Sequence, residues 1–185
     1  ILVDFAIEKV DDDKSWDVAI DFNKIAKLLV NENDIPFSET LKDKTLADFG
    51  SLKSQLKKDI AETESSVSEI AKSILTTIEN AGLEFGDFSG GYLPKHFQKL
   101  AHADFNVNFT AKWQEDIETK TLYPKRVTAN IASTIEQIQP EIASAFNNTK
   151  QAVFLLKFLK AFYKNITPLS VLNAINQELI ALKEE

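Results

Sequence analysis

Apolar and polar positions divide this chain into two long helical stretches separated by a glycine-rich insert. From Ser51 onward, Leu52, Leu56, Ile60, Thr63, Val67, Ile70, Ile74, Ile78 and Ala81 fall within an arc of about 80° at 100° per residue. Nearly everything outside that arc is Ser, Lys, Glu, Asp or Thr. The spacing predicts an amphipathic helix over about 51–81, roughly 45 Å long, closed by Gly82 at its C-terminus. A second stripe, Val127, Ile131, Ile135, Ile138, Ile142 and Ala145, also occupies about 80° and predicts a helix over about 124–147, kinked at Pro140. Stripes this narrow resemble a coiled-coil seam, satisfied within the chain or by a second copy, so the pair reads as a stalk.

Two segments alternate instead. In "ILVDFAI", Ile1, Val3, Phe5 and Ile7 take every second place, and in "DFNVNFTAKW", Phe105, Val107, Phe109, Ala111 and Trp113 do the same. Period two predicts strands, about 1–8 pairing with about 104–113. A turn at "DDDKS" leads into a helix from about Trp16 to Val30, and residues 31–50 read as a connection ending at Gly50. Pro94 suits the first turn of a short helix, "PKHFQKLAHA". "NNT" at 147–149 is expected to end the second long helix and cap another over 150–164. Thr167 and Pro168 then start a last one, with Leu169, Leu172, Ile175, Leu179 and Leu182 inward. The expected fold is a mainly α helical bundle with a small two-stranded β element, in one domain spanning 1–185.

Composition narrows the function classes. The net charge is −7, and Arg126 is the only arginine beside twenty lysines. Nucleic acid is therefore an unsuitable partner, because phosphate neutralisation needs clustered Lys and Arg. Residues 1–50 hold twelve Asp/Glu against six Lys, which reads as a solvated acidic region. Zero Cys excludes disulfides, zinc-thiolate sites and thiol nucleophiles. The absence of Cys and Met, the acidic surface and the pair of stalk-like helices give the expectation of a secreted or extracytoplasmic setting, while the sequons at Asn108, Asn147 and Asn165 are too small an excess over chance to add to it.

Candidate chemistry is sparse. His96 and His102 are six apart, not on one helical face, and read as two partly exposed histidines rather than metal ligands. "DDDKSWDVAIDF" lacks the glycine and terminal Glu of a calcium loop. The insert "GLEFGDFSGGYLP" (82–94) matches no phosphate-binding loop, and its Glu84 and Asp87 would repel an anion. No nucleophile elbow is present, and paired carboxylates such as Glu62/Glu64 lie on polar faces. No enzyme, cofactor or metal is therefore expected.

Two aromatic sets remain as candidate contact residues for a protein partner or an apolar ligand: Phe85, Phe88 and Tyr92 in the insert, and Phe154, Phe158 and Phe162 in the 150–164 helix. That helix also carries Lys150, Lys157, Lys160 and Lys164 within about 80°, so it reads as a core helix, a membrane-surface helix or the wall of a fatty-ligand pocket. The glycines of the insert are expected to turn the chain out of a long helix. The leading expectation is a non-catalytic binding protein. An alternative is a membrane-active protein, since the layout is similar in organisation to pore-forming toxins that place an apolar insert between long helices. Glu84, Asp87, Lys95, Lys99 and Asp104 make this insert costly in hydrocarbon. A carrier of fatty ligands is the third option.

Overall fold

A computed structural model describes residues 2–11, 17–30, 40, 41 and 43–184. Those residues are mainly helical and contain no β-strand. In chain order the helices are α1 (Leu2–Asp11), α2 (Ala19–Val30), α3 (Leu46–Asn80), α4 (Tyr92–Ala101) and α5 (Ala129–Glu184). The chain forms two compact units, residues 59–158 and residues 1–58 with 159–185.

The expected β element does not form. Residues 2–11 are helical because two of the residues read as alternating, Val3 and Ile7, also stand four apart, and Val10, three further on, continues the same helical face. That face is exposed, and α1 is held from its other side. Lys9, nearly buried, donates to the Asp21 carboxylate of α2 and to the Asp17 carbonyl, both at 2.6 Å. Residues 104–111 are irregular, yet their alternation correctly reports burial. Val107 is buried and Phe105 and Phe109 half-buried, while Asn106, Asn108 and Thr110 face water. Side chains supply hydrogen bonds that a neighbouring strand would otherwise provide. Asp104 Oδ1 accepts from the Asn106 amide, Asn108 Oδ1 from the Thr110 amide, and Gln114 Nε2 donates to the Asn108 carbonyl.

In the terminal unit, α3 starts at Leu46 rather than Ser51. Thr45 and Asp48 form a reciprocal cap: the Thr45 amide donates to Asp48 Oδ2 and the Asp48 amide to Thr45 Oγ1. The Thr45 amide, and after it the Thr45 hydroxyl, both donating to the Asp48 carboxylate, hold it below its ordinary pKa. Gly50 thus sits inside the helix instead of ending a loop. Phe49 and Leu56 of α3 bury against Ile166, with Leu159, Tyr163 and Leu169 around them. Spacings of four, three and three from Leu159 to Leu169 keep one helical face on that cluster, and α5 continues through Thr167 and Pro168 without the break the sequence suggested.

Residues 59–158 hold the larger core. Val67, Ile74 and Ile78 of α3 and Ile135, Ile142 and Ala145 of α5 come from the two predicted stripes, and Ala71 and Phe146, outside those stripes, are buried with them. Leu83, Phe88, Leu93, Phe97, Leu100, Val107, Ile117 and Leu122 fill the space around them. Thr77 Oγ1 donates to Glu141 at 2.9 Å between the two helices. The predicted break at 147–149 is absent as well. Thr149, completely buried, turns its hydroxyl back onto the Ala145 and Phe146 carbonyls, so it cannot cap a new helix. Among the described residues no helix is long and apolar enough to cross a membrane.

Candidate functional site

The glycine-rich insert is built first by its turns. At the end of α3 the Leu83 amide donates to the Ile78 carbonyl and the Gly82 amide to Glu79, with Gly82 at φ +69°. This left-handed cap reverses the chain and brings Leu83 onto Ile78 in the core. A 3-10 turn over Phe85–Asp87 follows, closed by Asp87 accepting from the Glu84 amide at 2.7 Å. The Ser89 amide then donates to the Leu122 carbonyl, stapling the loop to the segment before α5. Gly90 and Gly91 both have positive φ, and a Cβ on Gly90 would collide with the Tyr92 ring.

This geometry separates the three aromatic candidates of the insert. Phe88 is 1% exposed and belongs to the core. Phe85 borders a cleft of about 170 Å³ shared with Lys95 and Arg126, and the Tyr92 ring lies exposed at the start of α4.

A different arrangement surrounds Phe154. Between the irregular segment 107–110 and the face of α5 over 147–157 lies a groove of about 670 Å³. Val107, Phe109, Val153 and Phe154 give it apolar walls, with Asn108, Thr110, Asn147 and Gln151 at its polar positions. Lys150 and Lys157 complete the lining, which has no acidic residue. Phe154 is 78% exposed, although Val153 beside it is buried. Phe158 and Phe162 are also exposed, but they do not line this groove, and Phe162 lies in the other unit. Of the six candidate residues, then, the structure places Phe154 alone in the groove. The other wall, Val107–Thr110, was read as a strand, so its role as a wall had no sequence signal beyond its alternation. Lys150 and Lys157 did give one: a spacing of seven puts them on one face beside Phe154.

Behind Phe109 sits a buried histidine, against the expectation of partial exposure. The His96 ring packs edge-on to Phe97, Phe109 and Trp113 at centroid distances of 5.7, 5.0 and 5.5 Å, and lies tilted to Phe146 at 5.7 Å. Its Nε2 is buried and has no hydrogen-bond partner among the described residues. Burial, with a smaller contribution from the nearby Lys99 charge, lowers its pKa from 6.5 to about 4, so the ring is neutral near pH 7. His102 is exposed, and its Nδ1 donates to the Gln98 carbonyl. Among the described residues no three His, Cys, Asp or Glu side chains gather as a metal site.

Comparison of the chain with models of known protein families, with curated proteins and with solved structures finds no match.

Proposed function

We propose that this chain is a non-catalytic binding module that accepts an apolar ligand in the groove beside Phe154. One observation carries the reading: a large aromatic ring stands 78% exposed on the wall of a roughly 670 Å³ apolar groove. That volume lies within the range of about 300–1,000 Å³ common for small-molecule sites. Covering a phenylalanine removes apolar surface from water and stabilises the covered state by about 1.5–3 kcal/mol. The opposite wall is an irregular segment pinned by the side chains of Asn108 and Gln114, so it can keep its shape without a ligand.

The glycine insert is the joint that holds this unit together, since Phe88 is in its core. The test is titration with a solvatochromic apolar dye, read alongside mass spectrometry of ligands that co-purify. Phe154→Ser should weaken dye binding at least about ten-fold, whereas Phe85→Ser should leave it unchanged. Equal binding by wild type and Phe154→Ser would overturn the reading.

A further inference from the structure

We infer that the ligand of this groove is a monomeric anionic amphiphile, an alkyl chain ending in a carboxylate. The inference rests on the binding reading above and adds the chemical class of the ligand. Lys150 and Lys157 are seven residues apart in α5, within about 20° of one another around the axis and roughly 10 Å apart along it. Val153 and Phe154 flank them on either side of the same face, so the helix offers apolar contact and positive charge together. Among the described residues neither lysine has an ion-pair or hydrogen-bond partner. The lining contains two cations and no acid, in a chain whose net charge is −7.

In a chain of net negative charge, an anionic ligand is repelled least at a place lined by two lysines. Here the alkyl part covers Val107, Phe109, Val153 and Phe154, and the carboxylate reaches one ammonium group while Gln151 donates beside it, Asn147 Nδ2 being already taken by the Glu118 carboxylate. A cationic amphiphile would meet two like charges. A neutral one would leave both lysines without a counter-charge.

Isothermal titration with dodecanoate, dodecanol and dodecyltrimethylammonium tests this, using wild type and the double variant Lys150→Gln/Lys157→Gln. Dodecanoate should bind about ten-fold more tightly than dodecanol, and the double variant should erase that difference while keeping dodecanol binding. Lys150→Arg/Lys157→Arg should restore it, and circular dichroism should show all variants folded. If dodecanol and dodecanoate bind equally, the assignment of an acid head group fails although the groove still binds. If Phe154→Ser leaves all three amphiphiles unaffected, the binding reading itself fails, and this inference with it. Co-sedimentation with phosphatidylglycerol vesicles but no binding of monomeric dodecanoate would also overturn it, in favour of a lipid surface.

Discussion

The His96 ring stands edge-on to Phe109, 5.0 Å between centroids and 85° between planes, and its Nε2 has no hydrogen-bond partner among the described residues. Phe109 is also a wall of the groove, so a buried titratable ring lies directly behind the candidate site. The edge-to-face geometry suits a neutral ring whose C–H edges meet aromatic faces. Protonation would place a charge among Phe97, Phe109, Trp113 and Phe146 and near the Lys99 ammonium, with no acidic partner among the described residues.

Stability should therefore depend on pH through this residue. Its pKa is about 4 in the folded chain and near 6.5 when unfolded, so the unfolded state binds the proton more strongly. The contribution is fully present above about pH 6.5 and is lost as pH falls toward about 4, by roughly 3 kcal/mol. Urea unfolding at pH 7.5 and pH 4.5 should show the fall in wild type, and His96→Leu should largely remove it. A wild-type curve no steeper than that of the variant would count against this account of His96.

Two helix ends should respond to substitution in opposite directions. Ala103 closes α4 at φ +58°, where its amide donates to Leu100 and the Asp104 amide to Lys99. A Cβ is strained there, and Ala103→Gly should raise stability by about 0.5–1 kcal/mol. Gly82 closes α3 at φ +69° with open space around a would-be Cβ. Gly82→Ala should cost about 1 kcal/mol, from backbone strain alone. Thermal denaturation of both variants checks the pair of signs.

Phe88 and Phe85, three residues apart in the insert, should differ sharply in what they contribute to stability. Phe88 is fully enclosed, so Phe88→Ala should cost about 3–5 kcal/mol through lost burial and the cavity it leaves. Phe85 is 37% exposed, and Phe85→Ala should cost under about 1 kcal/mol. Chemical denaturation of both variants measures the difference directly.

Gln139 offers a test of the loop before α5. Its buried Nε2 donates to the Ile117 and Lys120 carbonyls, both at 2.8 Å, fixing that loop to the helix. Gln139→Leu keeps the approximate volume but leaves two carbonyls without their donor, at a cost of about 2 kcal/mol. Hydrogen exchange should quicken in residues 117–122 more than in α3. Uniform exchange across the unit would mean the loop is held by other contacts.

Much of this architecture was legible in one dimension, and the failures are specific. Ile74, Ile78, Ile135 and Ile142 were found because a 100° rotation per residue is a property of the helix itself, and such a stripe can only be buried along one side. Gly82 was found because few other residues accept a left-handed cap. Residues 1–8 were misread because four apolar positions over so few residues satisfy period two and helical spacing alike. The alternation at 105–109 gave the right burial and the wrong element, since burial fixes which side faces the core but hydrogen bonding needs a neighbour.

By itself, then, the sequence determined the helical stripes, the glycine cap and the absence of thiol chemistry, all consequences of local geometry or composition. Only the tertiary structure decided that Phe88 is core while Phe154 is surface, that His96 is enclosed, and that Val107–Thr110 faces Lys150 and Lys157 across a groove. Burial of one side chain depends on what distant segments place over it. Residues 107–110 and 147–157 are far apart along the chain, and no periodicity within either segment encodes the other.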